Sequence, residues 1–305
     1  MAEKQEFIVT DKYAGERIDK YLSEMLPDSS RSFLQKLIKE HLVIVNDNNI
    51  KSNFKISSGD IVLVDIPELK EPDILPQNIP IEILYEDNDI IVVNKPKGMV
   101  VHPAAGHYND TLVNALMYHC KDNLSGINGV LRPGIVHRID MNTTGVLVAC
   151  KNDYAHNFIA EQLSVHSITR KYNAIVYNRF NCENGTVDAP IGRSRTDRKK
   201  MAIDRINGKR AVTHYKVLTN FKKYAHIECQ LETGRTHQIR VHMASIGHPL
   251  LGDDVYSSAK SAYNLQGQTL HARVLGFLHP SSKKYVEFEA PLPEYFDNLL
   301  HIIDK

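Results

Sequence analysis

Apolar positions recur along this chain in two periods, and the switches between them mark out its elements. Ile18, Tyr21, Leu22 and Met25 fall at helical spacing, as do Phe33, Leu34, Leu37 and Ile38, with Ser30 or Ser32 placed to start the second helix. Strands are expected at 7–9, 43–46 and 61–64, the last two set off by turn-forming Asp47-Asn48-Asn49 and Ser57-Ser58-Gly59-Asp60. Periodicity then lapses across a stretch carrying Pro67, Pro72, Pro76 and Pro80 among charges, which reads as a semi-extended linker. The expected division is a small domain over 1–75, a linker over 76–82 and a larger domain over 83–305.

In the larger part, unbroken apolar runs at 90–93 and 146–149 read as buried strands, and the alternation at 169–176 as another. The first of these runs leads through Asn94 into the turn Lys95-Pro96-Lys97-Gly98. Helices are expected from near Thr111, where Leu112 and Leu116 follow, and over 153–163. A shorter one has Thr236 as its N-cap, Ile239, Met243 and Ile246 on one face and Gly247 at its end. Residues 270–280 and 286–288 read as one element plus a closing strand.

Composition narrows the function little. With 305 residues, 42% of them hydrophobic, the chain can bury a sizeable core in two domains, and a net charge of +1 does not advertise a nucleic-acid partner. Any such surface has to be local. From Arg193 through Arg210 there are eight Lys or Arg, including Arg198, Lys199 and Lys200, against two Asp, an excess suited to a phosphate backbone or to a solvated loop. Through Lys70 the balance is ten Lys or Arg against twelve Asp or Glu, so Arg17, Arg31, Lys36 and Lys39 stand out by placement along the helices only. Cys120, Cys150, Cys182 and Cys229 form no Cys-x-x-Cys pair, which argues for reduced thiols over a zinc ribbon. The N-terminus lacks an apolar signal core and no apolar run is long enough to span a bilayer, so a cytoplasmic protein is expected.

The chemistry gathers around His137-Arg138-Ile139-Asp140-Met141-Asn142-Thr143-Thr144-Gly145, a polar turn opening onto the buried strand at 146–149. By themselves Arg138 and Asp140 are also what an ordinary reverse turn contains. Tyr172 alone reads as a half-buried strand residue, and Arg240 alone as one half of a structural ion pair. His237 and His242 lie five residues apart and so do not share a helix face as a zinc pair would. No metal or nucleotide-cofactor motif is found.

Together these strings resemble the RluA/RluD family of RNA pseudouridine synthases, whose central motif reads His-Arg-Leu-Asp and then Thr-Ser-Gly; here Ile139 replaces the Leu and Thr144 the Ser. Lys171-Tyr172, the 231–243 segment around Arg235 and Arg240, and the final strands extend the resemblance over nearly the whole chain. The N-terminal helices, with Val45-Asn46 and Gly59-Asp60, resemble an S4 RNA-binding domain. The resemblance implies an α+β catalytic fold, with a mixed, mostly antiparallel central sheet and flanking helices, behind a small αL-type S4 domain. It implies an isomerase without a cofactor, Asp140 as its reactive carboxylate, Arg240 as that group's partner and Tyr172 against the target base. Arg138 would fill the gap left by an extruded uridine, with Asn94, Lys95 and His102 near substrate. His137, Arg235, Arg17, Arg31, Lys36, Arg198, Lys199 and Lys200 would contact RNA. Ribosomal RNA of the large subunit, or a pre-ribosomal particle, is the expected partner and a monomer the expected state. Transfer RNA and a non-catalytic assembly role stay open, while an ordinary glycosidase would need a second carboxylate that the motifs do not offer.

Overall fold

The computed structural model describes residues 3–27, 29–67, 74–103, 107–121, 123–129, 132–197, 200–259 and 261–303. The chain divides into two units, Met1–Pro72 and Asp73–Lys305. In the first, β1 (Glu3–Ile8), β2 (Val43–Val45), β3 (Asn48–Asn49) and β4 (Ile61–Ile66) form an antiparallel sheet in the order β1-β4-β2-β3. The helices α1 (Ile18–Met25) and α2 (Arg31–Lys39) bury Ile18, Leu22, Leu34, Leu37 and Ile38 against Val43, Val45, Val62 and Val64. Ser30 starts α2, its hydroxyl accepting the Phe33 amide, a cap worth about 1 kcal/mol.

The second unit is built on a nine-stranded sheet. Its strands are β5 (Glu82–Glu86), β6 (Ile90–Lys95), β7 (Thr144–Cys150), β8 (Thr169–Tyr177), β9 (Asn184–Asp188), β12 (Val212–Asn220), β13 (Tyr224–Leu231), β14 (Leu270–Leu278) and β15 (Tyr285–Glu289); β10 (Ile191–Arg193) and β11 (Met201–Ile203) form a separate hairpin. The order is β5-β6-β7-β14-β8-β13-β12-β9, with β15 on β14, and among these pairings only β7 with β14 is parallel. Every residue of β7 is buried, as its unbroken apolar run predicts for a central strand. At its start Gly145 has φ +111, and a Cβ there would lie 2.1 Å from the Ala272 carbonyl oxygen, so only glycine lets β14 come this close.

The helices are α3 (Leu112–Cys120), α4 (Asp153–Ser164), α5 (Gln238–Ser245) and α6 (Glu294–Ile303). Thr111 and Asn114 close a capping box on α3, and the Asn152 side chain caps α4. The strand reading of the tail omits α6, which buries Phe296, Leu299 and Ile303 at helical spacing. The proline-rich stretch joins the second unit from residue 74 onward: Ile74 is buried in its core, and Asn114 donates to the Leu75 carbonyl. Cys120, Cys150 and Cys229 are buried and Cys182 is exposed, all as free thiols. No described helix is long and apolar enough to cross a membrane.

Burial holds His137, His226 and His271 in the neutral form, each pushed down to about 4. Unfolding would return them to the ordinary range near 6.5, so between about pH 4 and 6.5 the unfolded chain binds more protons than the folded one. Stability from these groups is present above that window and falls as pH drops through it, by roughly 1.4 kcal/mol per pH unit for each histidine. Thermal melts are expected to show Tm declining steadily from pH 6.5 to 4; a flat Tm over that range would contradict the assignment.

Candidate active site

Asp140 lies in the turn that precedes β7, and Arg240 is on the first turn of α5, a hundred residues later. They meet directly: Arg240 Nη1 donates to Asp140 Oδ2 at 3.1 Å. The aspartate side chain keeps 22% of its exposure, while that of the arginine keeps 6%. An acid open on one side is thus held by a base that is almost wholly enclosed. Both line a cleft of about 500 Å³, within the usual range for ligand sites, together with Tyr172 from β8, His137, Arg138 and Arg235.

The arginine is held on its other edge as well. Its Nε and Nη2 donate to the two carboxylate oxygens of Asp253 at 2.7 and 2.9 Å, a fork-to-fork pair with a carboxylate that has no exposed surface. Burial disfavours the Arg240 charge, but its bonds to Asp253 and Asp140 outweigh this and raise its pKa above the ordinary value. Asp253 Oδ1 also accepts the amides of Val255 and Tyr256, which anchors the following loop. The Tyr256 ring lies under the Arg240 guanidinium at 5.1 Å, completing a rigid seat for it. Neither Asp253 nor Tyr256 is singled out by sequence reasoning, because Gly252-Asp253-Asp254 has the look of any surface turn.

His237 is the other neighbour of the acid, with Nε2 3.9 Å from Asp140 Oδ1. Its Nδ1 shares a hydrogen bond of 2.8 Å with the Tyr256 hydroxyl, and burial lowers its pKa despite the nearby Asp140 charge. Here the expected N-cap is corrected. Thr236 is exposed, and α5 begins one residue later with His237 at the cap in the left-handed region, φ 55. The turn is held from inside by the buried Gln238 amide, which accepts from Thr233 Oγ1 and the Arg235 amide and donates to the Val212 carbonyl and Thr213 Oγ1. His242 faces elsewhere, bonded to Thr213 and the Ala189 carbonyl.

Tyr172 is 9% exposed, and burial raises its phenol above the ordinary value. Arg138 is exposed, and its Nη1 donates to His102 Nε2 at 3.0 Å; His102 in turn gives Nδ1–H to the Pro103 carbonyl. His137 Nε2 accepts the Val148 amide, tying the motif to β7. Lys95 and Asn94 do not line the cleft: Asn94 bonds Glu82, and Lys95 is fully buried with Nζ donating to the carbonyls of Pro96, Met99 and Met141. Burial pushes the Lys95 ammonium down to about 7, while three carbonyls within 2.9 Å match its three N–H groups. It works as an internal tie between the turn after β6 and the Asp140 loop.

The remaining basic residues are spread out. Lys200 Nζ reaches the Val255 carbonyl, Arg235 Nε the Arg210 carbonyl, and Arg198 and Lys199 lie outside the described residues. In the first unit, Arg17 and Arg31 converge with Gln35 on Asp19, which has no exposed surface although the two arginine side chains keep 49% and 59% of theirs. Burial raises the Asp19 pKa, but the bonds from Arg17, Gln35 and Arg31 prevail and bring it to about 2. Two guanidinium groups are thereby held at the surface by one buried anion. Lys36 is paired at 3.8 Å with Glu40.

A family model described as RNA pseudouridylate synthase matches residues 89–245, and an S4 domain model matches residues 16–62. Over 296 residues the chain is 52% identical to an uncharacterized RNA pseudouridine synthase, YlyB, of Bacillus subtilis, covering 97% of both chains. Over 300 residues it is 50% identical to ribosomal large subunit pseudouridine synthase D of Zymomonas mobilis, covering 95% of this chain and 94% of the other. Among solved structures, human RNA pseudouridylate synthase domain containing 4 matches with a TM-score of 0.57 and 28% identity, over 73% of this chain and 92% of that one.

Proposed function

The chain belongs to the RNA pseudouridylate synthase family and is an isomerase that turns uridine in RNA into pseudouridine; from that premise we propose that it acts on large-subunit ribosomal RNA, with Asp140 as its reactive group. The reaction breaks the bond from C1′ of the ribose to N1 of the base, turns the base and joins C1′ to C5. The C5 proton leaves and N1 gains one, so nothing is oxidised and no group is lost. One anionic carboxylate at the sugar suffices for this, either by attacking or by taking a proton. The observation that carries the reading is the contact of Asp140 with Arg240 in a cleft that also holds Tyr172.

A stacked uridine cannot reach such a cleft and has to swing out of its helix at a cost of a few kcal/mol. Arg138, exposed two residues before the acid, suits the vacated place in the stack, and Tyr172 suits support of the base that has left it. Arg17 and Arg31, held by Asp19, offer phosphate contacts that orient the RNA without reading its bases. The large subunit is supported by relatives named for it and by the S4 match. A cytoplasmic monomer is part of the same proposal.

Pseudouridine should be mapped across the ribosomal and transfer RNA of cells lacking this protein and of cells given it back. One or more large-subunit positions are expected to revert to uridine and to be restored. Reversion confined to transfer RNA, or none at all, would contradict the proposed substrate.

A further inference from the structure

Arg170 is a buried cation for which the chemistry above has no use. It lies on β8 two residues before Tyr172, so both side chains leave the same face of the strand, roughly 7 Å apart along it. Both line the cleft, and Arg170 is 7% exposed.

The other guanidinium groups of the cleft differ from it. Arg240 has two carboxylates, and Arg138 and Arg235 are open enough to be solvated. Among the described residues Arg170 has one hydrogen bond, from Nη2 to the Glu232 carbonyl at 3.0 Å, and its buried Nε has no partner there. Among the described residues no carboxylate lies within ion-pair distance of it; the Glu232 carboxylate is taken by Arg210 and His214. A guanidinium buried without a counter-charge costs several kcal/mol. The backbone nonetheless makes room for it, since a Cβ at Gly234 would lie 2.5 Å from Arg170 Nη1. Burial lowers the pKa of Arg170, the direction expected for a charge lacking an anion.

A flipped nucleotide would bring the missing charge with it. Resting on the reading of Tyr172 and the cleft given above, we propose that Arg170 binds a backbone phosphate flanking the target uridine and so seats the flipped nucleotide beside Asp140. One buried cation would then both draw the nucleotide in and fix its sugar at the acid. An uncharged uracil carbonyl is the other acceptor an arginine there could meet, and salt separates the two.

The test is the salt dependence of kcat/KM for wild type, Arg170→Met, Arg170→Lys and Gly234→Ala, on whichever unmodified RNA transcript the wild type converts. Neutralising one phosphate contributes roughly 0.7 to 0.9 to the slope of log(kcat/KM) against log[salt]. Arg170→Met is expected to lower kcat/KM at least tenfold at moderate salt and to flatten the slope by about that amount, with Tm unchanged or raised because an unpaired buried charge is gone. Arg170→Lys should recover the slope with part of the rate. Gly234→Ala, which displaces the guanidinium but keeps its charge, should flatten the slope as well, and it decides the matter should Arg170→Met fail to fold. Loss of rate with the wild-type slope, or wild-type rates throughout, would overturn the proposal. Failure of the mapping experiment bears on the RNA target and leaves this comparison intact, because each variant is read against wild type on the same RNA.

Discussion

Asp140→Ala is expected to make no measurable pseudouridine, a loss of about 10⁴-fold or more, while binding RNA within a few-fold of wild type. The carboxylate is small and only 22% exposed, so it contributes little contact area to an RNA held through phosphates elsewhere. The cost to the fold should be modest. Arg240 would lose one bond and keep the bidentate pair with Asp253, so no unpaired charge would be left in the interior. Nucleoside analysis of treated RNA, with filter binding at fixed salt, measures both halves. A variant that fails to bind RNA would mean that Asp140 acts in binding before it acts in chemistry.

The second large effect is expected at Asp253, which on this reading touches no substrate. Asp253→Ala removes both bonds that seat Arg240 and the two that hold the amides of Val255 and Tyr256. It leaves a guanidinium whose side chain is only 6% exposed with Asp140 as its one carboxylate and with Nε and Nη2 unmet, and breaking a buried pair in this way costs up to roughly 3–5 kcal/mol. The guanidinium would swing toward the remaining carboxylate, Asp140, and draw its oxygens away from the cleft. A fall in kcat of about 10²- to 10³-fold with KM for RNA nearly unchanged is expected, together with a lower Tm. Asp253→Asn should fall between, since an amide offers one acceptor oxygen where the arginine fork needs two. Steady-state kinetics and thermal melts on the same preparations check this; a change in KM alone would show that Asp253 supports the RNA surface and not the acid.

How much of this is legible in the chain depends on whether a feature is local. The buried strand β7 is written in consecutive residues, and α2 and α3 in spacing and a cap, so short-range rules suffice for them. The pairing of Asp140 with Arg240 is not written in spacing; it becomes readable through a resemblance that spans both segments. The start of α5 falls one residue beyond the Thr236 cap that the sequence suggests, because the Gln238 side chain, through four bonds to distant and neighbouring groups, replaces a conventional cap, with His237 in an uncommon conformation. Lys95 stands in a turn that the resemblance puts near substrate, whereas its three carbonyl partners are internal and include Met141, 46 residues away. The role of Asp253 is hidden for the same reason: its importance lies in a tertiary contact, and its neighbours in sequence resemble a loop. The amphipathic spacing of α6, by contrast, is local, in Phe296, Leu299 and Ile303, beyond the last strand expected from the sequence.

The role assigned to Asp140 is tested most directly by tritium release from RNA carrying [5-³H]uridine, since the C5 proton must leave for every pseudouridine made. Wild type is expected to release one tritium per converted uridine, and Asp140→Ala none above background at enzyme and RNA concentrations where the complex is fully formed. Release by Asp140→Ala at a rate near that of wild type would contradict the assignment.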